Sequence, residues 1–183
     1  KTYNNTNVNF IKINCITEKK PLGTGGAVLN LKSKLKKNFL LINGDSFFNY
    51  NFPKFTENFN NTNEICKMLL VNNRNYLSNK KLSKLYINKK GEIFYKKTSN
   101  FMNAGIYLIK PKIFKFFSKK GNCSFEDDIL SNLIKNKKVV GEIQNGYFVD
   151  IGTEENLKFA KKTLLKYSEK SAVILDRDGV INY

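Results

Sequence analysis

The chain has 183 residues, 41% apolar and 13% aromatic, which suffices for one α/β domain with a real core and excludes a disordered chain. It carries 32 Lys and Arg against 15 Asp and Glu, a formal net charge of +17, and no His. His-based general-base chemistry and His metal ligation are therefore excluded within the segment, and a metal site must rest on oxygen ligands, which suits Mg²⁺.

The lysines are scattered among Asn and Ile rather than gathered into an arginine-rich stripe, and no aromatic RNA motif accompanies them. The charge reads as compositional bias, favouring anionic small substrates by steering and giving little support to a nucleic-acid partner. No apolar run is long enough to cross a bilayer, and the first residues contain no signal-peptide core. The expectation is a soluble cytoplasmic protein without a membrane partner. Cys15, Cys66 and Cys123 are odd in number and widely spaced, which fits neither a zinc site nor a disulfide framework.

In chain order, alternation predicts a strand over 8–14. Pro21-Leu22-Gly23-Thr24-Gly25-Gly26-Ala27 follows, with three glycines in four positions, so its backbone can approach a neighbour closely. Helical spacing at Ala27, Val28, Leu31 and Leu35 predicts a helix over 27–36. The glycines then lie at its amino terminus, where free N–H groups favour anions or polar base edges. Leu40-Leu41-Ile42-Asn43-Gly44-Asp45 reads as a buried strand ending in a carboxylate. That is the strand end at which open α/β sheets place their ligands.

Pro53 predicts a short helix over 53–59. The apolar run 65–71 predicts a central strand. A hairpin over 85–95 turns at Asn88-Lys89-Lys90-Gly91. A strand over 101–109 contains Asn103-Ala104-Gly105, and Pro111 opens a short helix. Ser124 caps the next helix, whose buried face is Ile129, Leu130, Leu133 and Ile134. Strands over 139–143 and 147–149 flank Gln144-Asn145-Gly146. Asp150 closes the second of these, and Thr153 caps a last helix with acid early and lysine late.

Each polar residue has a local explanation as well. Asp45 can cap a turn, Asp150 can cap the last helix, and Glu126 sits in a first helical turn where acids are favoured anyway. Asn103 can satisfy a loop.

The ordered set Pro21–Ala27, Leu41–Asp45, Asn103-Ala104-Gly105-Ile106-Tyr107, Ser124-Phe125-Glu126 and Val149-Asp150-Ile151-Gly152-Thr153 resembles the sugar-1-phosphate nucleotidyltransferase family. Its nearest likeness is to the D-glycero-D-manno-heptose 1-phosphate guanylyltransferases. The resemblance implies an α/β, Rossmann-like nucleotidyltransferase fold with a mixed central sheet, here lacking its N-terminal strand and triphosphate loop. It implies transfer of a nucleotide from a nucleoside triphosphate, GTP by the nearest likeness, to a sugar 1-phosphate, with release of pyrophosphate. By the same resemblance, Gly23, Thr24, Gly25 and Gly26 meet the nucleotide, and Asp45 and Asp150 are catalytic and hold Mg²⁺. Lys97, Asn103, Gly105 and Glu126 bind the sugar phosphate. The family places Glu before the lysine matched by Lys97, whereas this chain has Lys96.

Val173-Ile174-Leu175-Asp176-Arg177-Asp178-Gly179 resembles the opening of haloacid-dehalogenase-type phosphatases, closest to those acting on heptose bisphosphate. Asp176 then matches the nucleophile and Asp178 the acid/base. The implied organisation is a nucleotidyltransferase domain over 1–166, a linker over 167–171 and the first strand of a phosphatase over 172–183. Such a piece of a bifunctional protein serves nucleotide-sugar and surface-polysaccharide (lipopolysaccharide) synthesis, and is expected to be inactive alone. The rivals are a non-catalytic regulatory relative and a mannose or glucose 1-phosphate enzyme.

Overall fold

A computed structural model of the chain describes residues 3–8, 10–72, 83–117 and 122–168, the side chains of 83, 84, 97, 98, 167 and 168 excepted. Its centre is a mixed sheet. Strand β8 (Phe101–Ile109) carries β5 (Cys66–Asn72) antiparallel along one edge. β5 in turn pairs parallel with β9 (Val139–Ile143). The other edge of β8 is shared. β3 (Phe39–Ile42) covers residues 106–109, and β6 (Ser83–Ile87) meets Phe101. β6 folds back as a hairpin on β7 (Ile93–Ser99) through the Asn88–Gly91 turn.

β5 is interior and apolar almost throughout because both its faces are covered. Cys66, Met68 and Leu70, with Tyr107 and Ile109 of β8, join the core under the helices. Leu69 and Val71, with Ala104, Ile106 and Leu108, join a second core containing Phe48, Phe55, Phe59 and Phe148. The alternation of side chains along each strand divides the two cores.

Several predicted elements sit differently. The strand expected over 8–14 is a small hairpin of β1 (Asn7–Val8) and β2 (Ile11–Lys12), turned by Phe10 at φ +67°. The helix expected over 27–36 is α1 (Gly23–Asn30), so the glycines form its first turn rather than precede it. Glycine is a poor helix former, but packing against another segment overrides propensity here. The three-residue strand β4 (Ser46–Phe48) carried no readable period.

Helix α2 (Phe52–Thr56) has Pro53 in its first turn and Asn51 as its cap. A 3-10 turn over Phe59–Asn61 follows it. Another 3-10 segment, Pro111–Phe116, follows β8. Ser124 caps a π-helical turn, Phe125–Leu130, that runs into α3 (Ser131–Lys135). Ile129, Leu130, Leu133 and Ile134 are all buried, as their spacing predicts. β10 (Phe148–Asp150) pairs antiparallel with β4. α4 (Glu154–Thr163) is capped by Thr153, whose hydroxyl accepts from Asn156 N–H, and α5 (Leu165–Ser168) ends the described chain. Among the described residues no helix is long and apolar enough to cross a membrane.

A half-buried ion pair, Lys67 to Glu142 at 2.6 Å, ties β5 to β9. Gln144 donates to Glu142 and accepts from the Asn51 N–H at 2.8 Å. The segment after β4 is thereby held against the segment before β10.

Candidate active site

Antiparallel pairing with β8 carries the carboxyl end of β3 to the middle of β8. Asn43 N–H donates to the Gly105 carbonyl at 2.8 Å. Gly105 has φ +68°, and a Cβ there would lie 2.7–2.9 Å from Asn43 side-chain atoms. Glycine is therefore required at 105 both for backbone conformation and for space.

Two residues further on, Asp45 leads into β4, whose Ser46 stands opposite Asp150 of β10. Ile151 N–H donates to the Asp45 carbonyl at 2.8 Å. The two half-buried carboxylates flank Gly152: a Cβ built on it would be 2.9 Å from Asp150 Oδ1 and 3.8 Å from Asp45 Oδ2. Asp45 Oδ1 accepts from Ser46 Oγ, and Asp150 Oδ1 from Gly152 N–H at 2.7 Å. The last helix is capped by Thr153, not by Asp150. Neither aspartate is ion-paired to a lysine among the described residues.

Two adjacent carboxylates with oxygens to spare are a donor set that fits Mg²⁺, which binds one or two protein carboxylates and completes its shell with phosphates and water. Among the described residues no cluster of three or more His, Cys, Asp or Glu forms a self-sufficient cage.

The glycine turn differs from the expectation of free N–H groups. Gly25 and Gly26 are buried and both donate to the Cys123 carbonyl, at 2.9 and 3.3 Å. A Cβ on Gly25 would sit 2.8 Å from Cys123 Sγ. Thr24 Oγ1 accepts from Phe125 N–H at 2.8 Å. The close approach that glycine permits is thus to residues 123–125, and α1 braces the turn that bears Glu126.

Glu126 Oε1 accepts from Asn103 Nδ2 at 3.0 Å and from the Tyr107 hydroxyl at 2.7 Å. Asn103 Oδ1 accepts from Gly105 N–H at 3.0 Å. Three residues matched to the sugar site, Asn103, Gly105 and Glu126, are therefore neighbours, linked through Asn43 to the strand that ends at Asp45. Lys97 lies on β7 with its side chain outside the described part, and Asp176 and Asp178 lie outside the described residues. Lys96 stacks its ammonium 3.7 Å from the centre of the Tyr86 ring.

Sequence reasoning missed Tyr107, Asn43 and Tyr95. The Tyr107 phenol is pushed well above its ordinary pKa by burial and then by the charge of Glu126. The Tyr95 phenol is also raised, by burial first and then by the charges of Asp127 and Glu126. No local pattern marks Tyr107, since it occupies a core strand position and its partner is 19 residues away.

In an open α/β fold, the carboxyl ends of the strands, where this carboxylate pair lies, are where ligands bind. The nucleotidyl transferase family profile matches residues 1–167, and the chain belongs to that family. It is 34% identical over 164 residues to the bifunctional protein GlmU of Methanococcus vannielii, covering 85% of this chain and 39% of that protein. It is also 34% identical over 149 residues to the D-glycero-alpha-D-manno-heptose 1-phosphate guanylyltransferase of Campylobacter jejuni, covering 80% of this chain and 65% of that one. The chain thus spans about two fifths of the GlmU relatives it matches. Among solved structures, HddC from Yersinia pseudotuberculosis complexed with GMP-PN superposes with a TM-score of 0.67 at 25% identity, covering 84% of this chain and 68% of that one.

Proposed function

We propose that this chain is the nucleotidyltransferase part of an enzyme that joins a sugar 1-phosphate to a nucleoside triphosphate, with heptose 1-phosphate and GTP as the first pair to test. The observation that carries the reading is the meeting of Asp45 and Asp150 beside Gly152 at the carboxyl end of β3. Relatives named heptose 1-phosphate guanylyltransferase, and likeness to a structure complexed with GMP-PN, support the choice of sugar and base. In the reaction a phosphate oxygen of the sugar phosphate forms a bond to the α-phosphorus, and the bond from that phosphorus to the pyrophosphate oxygen breaks. The nucleophile is already an anion, so no general base is required, in keeping with the absence of His.

Asp45 and Asp150 would hold Mg²⁺. Bound there, the ion supplies charge neutralisation for the phosphates and a fixed line of displacement. The residues of this chain orient the two substrates. The turn at Gly23, Thr24, Gly25 and Gly26 lies on the nucleotide side. Lys97 meets the sugar phosphate, and Gly105, Asn103 and Glu126 form the sugar side. The motif at Asp176 and Asp178 supports a second, phosphatase activity in the same polypeptide.

The test is pyrophosphate release by the complete gene product, offered heptose, mannose and glucose 1-phosphates against each nucleoside triphosphate. Turnover limited to one sugar and one base is expected. Nucleotide binding without turnover on any pair would favour a non-catalytic regulatory relative.

A further inference from the structure

The network behind Glu126 holds that side chain from the core, and we infer from it that Tyr107 is a positioning residue for sugar recognition. The inference rests on the transferase reading above and deepens it. The orientation of the Asn103 amide is set by the backbone. Gly105 N–H needs an acceptor, so Oδ1 faces it at 3.0 Å and Nδ2 faces the other way. Nδ2 then donates between the Tyr107 hydroxyl oxygen and Glu126 Oε1. The single Tyr107 proton goes to Glu126 Oε1 at 2.7 Å.

The three residues differ in access. Tyr107 is 0% exposed, with its ring packed edge-on against Phe125 at 5.0 Å between centroids. Glu126 is exposed. Its Oε1 is held by two donors, while Oε2 has no partner among the described residues. A flexible exposed glutamate is thereby converted into a fixed acceptor with one oxygen open. The ligand chemistry that suits it is a neutral hydroxyl donor on the sugar ring, not a further anion. A buried phenol with its proton committed to a carboxylate also remains protonated throughout the neutral range, so the positioning does not vary with pH there.

The test is a steady-state double-mutant cycle on the complete gene product, with sugar 1-phosphate and nucleoside triphosphate varied separately. Tyr107→Phe, which keeps the ring and removes the hydroxyl, should raise the KM for the sugar phosphate about tenfold and leave that for the nucleotide within about twofold, as loss of one hydrogen bond to a charged group predicts. Glu126→Ala should raise the sugar KM further. In the Glu126→Ala background, adding Tyr107→Phe should change the sugar KM by less than about twofold, because its route of action is gone.

Tyr107→Phe multiplying the sugar KM equally in both backgrounds, or raising both KM values together, would overturn the positioning role alone. Absence of turnover by the unmodified protein on every substrate pair would instead overturn the transferase reading and this inference with it.

Discussion

At the residue scale, the proposed site rests on two aspartates whose local bonds leave oxygens open. Asp150 Oδ1 already accepts the Gly152 N–H, and an asparagine can keep that bond through its own Oδ1. Asp150→Asn in the complete protein is therefore expected to keep the thermal midpoint while kcat falls by about a hundredfold or more, the scale of losing one charge-stabilising group. Parallel thermal unfolding and pyrophosphate assays check both halves. Gly105→Ala is expected to act on stability as well. Positive φ and the crowding of Asn43 should lower stability by about 1–3 kcal/mol, read from urea unfolding. The tyrosines give a pH signature. Burial pushes the Tyr50 phenol from 10.0 up to about 12, and Tyr107 is also raised. The folded chain retains protons that the unfolded chain gives up, so this contribution is complete below about pH 10 and is lost as pH rises towards 12. Urea midpoints should fall through that window, and less steeply in Tyr50→Phe.

At the element scale, the glycines of α1 act by letting a helix approach residues 123–125. Gly25→Ala would put a Cβ 2.8 Å from Cys123 Sγ and 3.0 Å from its carbonyl oxygen. The turn carrying Glu126 must then shift, and stability should fall by about 1–3 kcal/mol, the usual cost of overpacking. Denaturant unfolding measures the loss, and a rise in the sugar-phosphate KM would report the shift of Glu126. Helix α4 has only Ala160 buried, so its cap matters more than its packing. Thr153→Ala is expected to cost about 1 kcal/mol, read from the urea midpoint. Because β10 and Asp150 immediately precede that cap, kcat in the complete protein should be more sensitive to it than to changes late in the helix.

At the scale of the whole molecule, the sheet gathers residues from five separated stretches at one end. β8 does most of this. Its register with β3 brings Asn43 to Gly105, and its residues Asn103 and Tyr107 reach Glu126. The β4–β10 pair adds Asp150 to Asp45. Among the described residues no group of three or more His, Cys, Asp or Glu is gathered, and the proposed ion would rest on Asp45 and Asp150 together with the substrate phosphates. Chelation should abolish turnover and leave the unfolding midpoint of the ligand-free protein unchanged, which calorimetry with and without chelator can show. The surplus of positive charge predicts that kcat/KM for these anionic substrates falls as salt is raised.

The sequence alone determined the elements whose apolar periodicity is strong: β5, β8, the helix face of Ile129, Leu130, Leu133 and Ile134, and the carboxylate at the end of the β3 run. Side-chain pattern encodes burial directly, and burial is what β5, β8 and that helix face share; β3, expected to be buried, is only half-buried, with Ile42 50% exposed, because it lies beside β8 at the margin of the sheet. The tertiary structure decided what no local pattern carries. It started a helix on glycines, because Cys123 and Phe125 supply partners for Gly25, Gly26 and Thr24. It paired the short β4 with β10, and so brought two aspartates 105 positions apart to one glycine. It turned Tyr107 from a core residue into the partner of Glu126. Each of these depends on strand register, which is fixed by the packing of whole faces and cannot be read from any one segment.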